Sequence, residues 1–186
     1  MVPTLIIIGV VLFIVLIWLI VNYNRFARIR QHIRESWSDI DVELKRRYDL
    51  IPNLIRTVKG YAAHEKDVLE QVTALRNTAA ANRGPVGSQA TDEVALLLGL
   101  RRLIGLVESY PQLKADQNFL ALQKELADTE DRIAAARRFY NANVREMNQL
   151  CAMFPTSIIA SMFGFKPEDF FELSSETERI APRIEM

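Results

Sequence analysis

The first 24 residues contain no charged side chain, and the ten residues that follow contain four arginines and no acid. Within the uncharged stretch, isoleucine, valine and leucine dominate Thr4–Val21 (TLIIIGVVLFIVLIWLIV). As a helix, this segment is about 27 Å long, close to the roughly 30 Å hydrocarbon core of a bilayer. The sequence therefore predicts that Thr4–Val21 spans a membrane and that the lipid bilayer is a partner of this chain.

Two other kinds of N-terminal segment fit less well. A cleaved signal peptide needs a basic start, a shorter apolar core and an A-x-A-like cleavage site, whereas this chain begins Met-Val-Pro and reads Val-Asn-Tyr-Asn over 21–24. A lipid anchor is disfavoured because the only cysteine is Cys151. The pattern favours an uncleaved transmembrane anchor over residues 1–24.

The orientation of the anchor follows from Arg25, Arg28, Arg30 and Arg34. Short flanking segments rich in arginine or lysine stay in the cytoplasm, so we expect the N-terminus outside and residues 25–186 inside. A single cysteine excludes a disulfide framework and is typical of a reducing compartment. The 23 basic and 23 acidic residues cancel, which argues against a nucleic-acid partner.

Helical periodicity runs through the rest of the chain. The first apolar face consists of Ile29, Ile33, Trp37, Ile40, Leu44, Tyr48, Ile51, Ile55 and Val58. Their mean spacing is near 3.6, as on one face of an α-helix. Pro52 interrupts this pattern, so we expect a kink or a break near residues 48–52, where Asn53 could bind an exposed carbonyl. Whether the helix continues or folds back there stays open.

A second apolar seam follows later in the chain. It consists of Phe119, Leu122, Leu126, Thr129, Ile133, Ala136, Tyr140, Val144, Met147, Cys151 and Phe154. The mean spacing of about 3.5 is typical of coiled-coil-like packing. Between the two patterns, the glycine- and proline-containing stretch 82–89 predicts a linker, with Thr91 capping the next helix and Asp92 and Glu93 in its first turn.

Because no segment alternates with a period of two, the predicted fold is all-α. We expect an N-terminal transmembrane helix that continues into an elongated antiparallel bundle of three to four long helices over 25–154. The 155–171 segment, rich in phenylalanine, is predicted to form a short amphipathic foot, and 172–186 a charged tail. Ile158, Ile159, Met162 and Phe163 lie on one face of the foot helix, which Gly164 ends.

The foot and one charged stripe are the candidate interaction surfaces. Ile158, Met162, Phe163 and Phe165 of the foot either pack across the end of the bundle or contact lipid or a partner. The stripe consists of Asp41, Lys45, Asp49 and Asn53, which stand four residues apart. It is either a solvated face with local ion pairs or a lateral contact between proteins. Asp39 and Asp41, with Arg46 and Arg47, could instead bridge to another helix.

No pattern of catalytic chemistry is present in the sequence. Bundle metal sites use Glu-x-x-His pairs, and neither His32 nor His64 has a glutamate three residues before it. No phosphate-binding glycine loop and no cysteine pair for zinc occur. Cys151 on the apolar seam is expected to be an inert thiol. We therefore expect no enzymatic activity, no metal and no cofactor.

The order of several motifs resembles the LemA family of bacterial membrane proteins. The matching segments are Asn22–Arg25, Ser36–Leu54 (SWSDIDVELKRRYDLIPNL), Thr57–Tyr61, Asn118–Phe119, Arg132–Asn141 and Phe163–Pro167. The resemblance covers nearly the whole chain. It implies a single N-terminal span in the bacterial inner (cytoplasmic) membrane, an antiparallel helical bundle and no established enzymatic activity. Relatives have been linked to membrane organisation and to membrane-associated proteolysis.

Three functions are compatible with these sequence features. The first is a non-enzymatic membrane-anchored scaffold that assembles as a homo-oligomer and organises membrane or membrane-protein partners. The second is a monomeric adaptor that docks a membrane protease or another partner at the cytoplasmic face. In the third, the arginines over 25–34 act directly on anionic lipid headgroups; topology alone also explains those arginines.

Overall fold

The computed structural model of the chain describes residues 2–172, and these residues form six helices and no strand. The helices are α1 (Val2–Tyr61), α2 (Lys66–Ala81), α3 (Val86–Val107), α4 (Pro111–Lys114), α5 (Gln117–Ala152) and α6 (Thr156–Phe163). The all-α prediction, with a long apolar N-terminal helix, is confirmed. Apart from Glu172, the predicted charged tail lies outside the described residues.

Of the kink and the break that the sequence left open near Pro52, the break does not occur, because helix α1 continues through this residue. Pro52 has no N–H to donate to the carbonyl of Tyr48, one turn earlier. Arg76 of α2 supplies the missing donor, because its Nε lies 3.1 Å from the Tyr48 carbonyl oxygen. Asn53, the donor expected from sequence, instead accepts a hydrogen bond from Arg56. A tertiary contact thus satisfies the carbonyl that the proline leaves free.

The linker before α3 is shorter than predicted, because α3 begins at Val86. The side chain of Asn82 organises this turn: its Oδ1 accepts from the Gly84 N–H at 2.8 Å and its Nδ2 donates to Ser88 Oγ at 2.7 Å. Thr91 therefore lies inside the helix, where its hydroxyl donates to the Gly87 carbonyl, and is not the N-cap. The prediction that Glu93 stands in the first turn is wrong for the same reason.

The chain divides into two compact units. The first contains α1 up to Trp37 together with residues 138–169, and its core consists of Phe26, Ile29, Ile33, Tyr140, Val144, Met147, Leu150, Ile159, Ala160 and Phe165. The second contains residues 38–137 and, of the described residues after the first unit, 170–172. Four long helical segments supply its core, which includes Ile40, Leu44, Ile51, Leu54, Val58, Leu69, Val72, Leu96, Leu100, Leu103, Phe119, Leu126 and Ile133.

Most of the predicted seam on α5 is already buried within these units. Phe119, Leu126, Thr129 and Ile133 are buried in the second unit, and Tyr140, Val144 and Met147 in the first. Phe154, the last predicted seam position, is 80% exposed because α5 ends at Ala152. The seam therefore stabilises the fold of one chain and leaves little apolar surface for contact with a second copy.

Asp116 caps the start of α5 with one carboxylate oxygen and binds the end of α1 with the other. Oδ1 accepts the Phe119 amide at 2.9 Å, and Oδ2 accepts the Tyr61 hydroxyl at 2.9 Å. These two hydrogen bonds, the Phe119 amide first, lower the pKa of Asp116 below 3.8. Because the folded pKa is the lower one, the capping contribution is fully present above pH 3.8 and is lost as the pH falls through the folded value.

We therefore expect Asp116→Ala to lower the melting temperature at neutral pH and to have progressively less effect as the solution is acidified below pH 3.8. Thermal unfolding of both proteins, followed by circular dichroism across this range, measures the difference. Asp116→Asn is the matched control, since its oxygen still caps the helix but does not titrate. A difference that is constant with pH would contradict the assignment.

Candidate interaction surfaces

The N-terminal part of α1 is long and apolar enough to cross a membrane, and no part of the described chain covers it. Large apolar side chains from Leu5 to Ile17 are between 46% and 68% exposed. Such a continuous exposed apolar surface is stable only in lipid or against another apolar surface. The chain is accordingly membrane-associated through this segment.

The second unit contains a buried charge cluster centred on Arg47. The Arg47 side chain is 1% exposed and pairs with Glu93 of α3, which is 2% exposed. Arg47 Nη1 also lies 2.8 Å and 3.1 Å from the two oxygens of Glu130 on α5. The hydroxyl of Tyr48, the next residue along α1, donates to Glu93. Three helices therefore meet at one guanidinium and two carboxylates.

The sequence indicated Arg47 as a bridge to another helix but did not reveal its partners. Glu93 interrupts an apolar row on α3, between Ala90 and Leu96, at the spacing of one helix face. Arg47 interrupts the row on α1 in the same way, between Leu44 and Ile51. A charged residue within each of two apolar rows was the sequence signal that these two side chains meet in the core.

The predicted charged stripe stays mainly at the surface. Asp41, Lys45, Asp49 and Asn53 are exposed. Asp41 makes one long contact, 3.6 Å, with Arg83, whereas Lys45 and Asp49 form no ion pair with any described residue. Arg46, which the sequence indicated as a bridge to another helix, forms an ion pair with Glu125 of α5 at 3.0 Å. The stripe is thus available for contact, and Arg46 is used within the fold.

In the first unit, the foot packs against α1 just after the apolar segment. The Phe165 ring is buried, stacks on Phe26 with centroids 4.7 Å apart, and lies 4.9 Å from the Arg30 guanidinium. Tyr23 contacts Phe163 edge-on at 4.8 Å and Phe165 at 5.9 Å. Gly164 ends α6 with a φ of 71°, a left-handed conformation that glycine adopts without steric cost, as predicted.

The predicted foot residues therefore divide between two environments. Phe165 belongs to the core, with Ile159 and Ala160 of α6. Ile158, Met162 and Phe163 are 51%, 63% and 43% exposed, and the neighbouring Met153 and Phe154 are 60% and 80% exposed. The foot thus combines a packed face with an uncovered apolar face.

Two titratable groups in the first unit are held in their neutral forms. Burial, with the nearby Glu168 and Asp169, raises the pKa of Tyr140 to about 12, and its hydroxyl donates to the Asp169 carbonyl at 3.0 Å. Burial also raises the pKa of the Cys151 thiol. A protonated thiol is a poor nucleophile, so this geometry gives Cys151 no catalytic activation.

Comparison with known proteins places these features in a family. The chain is 26% identical over 193 residues to magnetosome protein MamQ of Magnetospirillum gryphiswaldense, covering 89% of this chain and 71% of the relative. Magnetosome protein MamQ 1 of Paramagnetospirillum magneticum matches equally well, with 26% identity over the same shares of both chains.

Protein LemA of Metamycoplasma hominis is 26% identical over 161 residues, which cover 84% of this chain and 71% of that protein. The sequence pattern that defines the LemA family matches residues 36–186. This match starts after the apolar segment and includes the second unit and, of the first unit, residues 36–37 and 138–169 with the foot. Since it extends over most of the chain, this protein belongs to the LemA family.

Proposed function

We propose that this protein is a non-enzymatic, single-pass scaffold that assembles with copies of itself at the bacterial inner membrane and organises membrane proteins there. The N-terminus lies outside, and residues 25–186 lie in the cytoplasm. The observation that carries the proposal is the exposed stripe on α1, where Lys45 and Asp49 form no ion pair with any described residue. Relatives described as magnetosome proteins support a role at a membrane.

The stripe suits a contact between identical chains because its charges alternate. Asp41, Lys45 and Asp49 follow one another at intervals of four residues, about 6 Å along the helix. Spans in one bilayer give all copies the same direction, so neighbouring stripes run parallel. A shift of one helix turn then places Lys45 of one copy beside Asp41 or Asp49 of the next. The buried seam on α5 leaves this charged surface as the better candidate for lateral assembly.

The test is the particle mass of the full-length protein in a mild detergent, measured by light scattering with imaging of the same peak. We expect a large, uniform homo-oligomer that the double charge reversal Asp41→Lys/Asp49→Lys dissociates. Reversal costs on the order of 1–2 kcal/mol per contact, or about tenfold in affinity, and added salt weakens the wild-type assembly.

Asp128→Lys/Asp131→Lys is the matched control, because both carboxylates are exposed on α5 and form no ion pair with a described residue. This variant is expected to keep the wild-type mass. A monomeric wild-type protein would overturn the scaffold proposal in favour of a monomeric adaptor for a membrane protease or another protein. An oligomer that survives the stripe reversal would place the contact on another surface.

A further inference from the structure

The uncovered apolar face of the foot lies beside the end of the membrane span. Met153, Phe154, Ile158, Met162 and Phe163 form this face, and α6 itself contains no charged residue. A monomeric soluble surface rarely exposes five large apolar side chains together. The exposed face of the foot therefore requires an apolar environment other than the core in which Phe165 and Ile159 are buried.

Antiparallel contacts between α1 and α5 determine where this face lies along α1. Arg25 pairs with Glu146 at 2.8 Å, Asn143 contacts the His32 carbonyl at 3.4 Å, and Trp37 contacts Tyr140 with ring centroids 5.4 Å apart. In these pairs, the residue number on α1 falls from 37 to 25 while the residue number on α5 rises from 140 to 146. Helix α5 thus runs toward the apolar segment of α1.

Extending this register gives the level at which α5 ends. Counted residue for residue from these three contacts, Ala152 at the end of α5 stands level with Leu19, Tyr23 and Arg25 of α1, respectively. Met153 and Phe154 follow directly, so the turn between α5 and α6 stands level with the end of the apolar segment and the residues just after it. Helix α6 then ends with Phe163 against Tyr23, two residues after the apolar segment.

Exposed basic side chains near this level suit contact with anionic lipid headgroups. Arg25, Arg28, Arg30 and Lys166 are exposed near the same end of the first unit. Basic side chains with an uncharged apolar face between them are typical of elements that lie in the membrane interface. Helix α6 is too short to bind a bilayer strongly alone, but its attachment to the anchored chain removes most of the cost of bringing it there.

We propose that α6 and the preceding turn form a second membrane contact, in which Met153, Phe154, Ile158, Met162 and Phe163 enter the headgroup and upper acyl region of the cytoplasmic leaflet. The occupant of the uncovered face is lipid, because this face continues the lipid-exposed surface of the span. The inference rests on the anchor of the proposed function and is independent of self-assembly. The contact would hold the first unit in one orientation at the bilayer.

Depth-dependent fluorescence quenching in vesicles tests this contact. Single cysteines replace Ile158 or Met162 in the full-length protein with Cys151→Ala, and each is labelled with bimane. The protein is reconstituted in phosphatidylcholine–phosphatidylglycerol vesicles that contain lipids with a nitroxide near the headgroup end of the acyl chain. Leu16→Cys reports on the span, and Arg34→Cys, about 20 Å along α1 from Val21, reports on water.

We expect quenching at positions 158 and 162 to approach that at position 16 and to exceed that at position 34 several-fold. Adding Ile158→Asp to the labelled Met162→Cys protein should reduce quenching, because a carboxylate is expelled from the apolar region. Ala135→Asp, at an exposed position of α5 about 26 Å before the end of that helix, should leave it unchanged.

Quenching at 158 and 162 as low as at position 34 would overturn the proposal. The same low quenching together with crosslinking between copies at position 158 would assign this face to a second chain and would also overturn it. If position 16 were unquenched as well, the anchor itself would be wrong. Loss of the lipid contact and loss of the anchor are therefore distinguishable.

Discussion

Replacing Arg47 with methionine is expected to lower the free energy of unfolding by about 3–5 kcal/mol, the largest effect of any single charge in this protein. Methionine fills much of the arginine volume but leaves the Glu93 carboxyl, at 2% exposure, without its guanidinium partner, while the Tyr48 hydroxyl still donates to it. Burying an uncompensated carboxylate is costly because the low-dielectric interior does not replace its hydration. Urea denaturation of the detergent-solubilised protein, followed by helical circular dichroism, measures the loss.

Arg46→Met is the matched control, since Arg46 is the adjacent arginine and also forms an ion pair between α1 and α5. Its side chain and that of its partner Glu125 are 41% and 45% exposed, so solvent screens the pair and its loss should cost about 1 kcal/mol or less. A second control removes both charges: Arg47→Met/Glu93→Leu should recover most of the stability that Arg47→Met loses. Equal costs for Arg46→Met and Arg47→Met would contradict a special role for the buried cluster.

Much of the fold could be predicted because the position of a helix and the face that it buries follow from the local spacing of apolar residues. The apolar span before Arg25, the absence of strands from residues 2–172 and the end of α6 at Gly164 each depend on a few neighbouring residues. The burial of most of the α5 seam followed from its 3.5-residue spacing, whereas Phe154 is exposed. That residue lies beyond the helix end, where the periodicity of a helix no longer determines which way a side chain faces.

The features that could not be predicted depend on contacts between distant parts of the chain. Glu93 was interpreted as a first-turn acid because the true start of α3 depends on how Asn82 organises the preceding turn. The sequence left both a kink and a break open at Pro52, because the donor that compensates for the proline, Arg76, is 24 residues away in sequence. The candidate surfaces were partly predictable: the stripe is exposed as its pattern indicated, whereas only packing separates buried Phe165 from exposed Phe163.

The contact of Arg76 with the Tyr48 carbonyl gives the second large prediction, which is a coupling between two substitutions. Pro52→Ala restores the backbone N–H and should stabilise the protein by about 1–3 kcal/mol, the helix-interior cost of proline less its benefit in the unfolded chain. Arg76→Met should destabilise it by about 1–3 kcal/mol, because the freed carbonyl then loses a charged donor.

In the double variant, the new N–H of residue 52 reaches the Tyr48 carbonyl, so the loss of Arg76 matters less. We expect Arg76→Met to cost at least about 1 kcal/mol less with Ala at position 52 than with Pro, measured as the interaction energy of a double-mutant cycle in urea. Arg102→Met is the matched control, since Arg102 binds Gln71 at an exposed site and its effect should add to that of Pro52→Ala.

If Arg76→Met cost the same in both backgrounds, its contribution would come from packing or charge rather than from the proline-freed carbonyl. The coupling would show that a proline is tolerated inside α1 because α2 supplies the hydrogen-bond donor that the proline lacks.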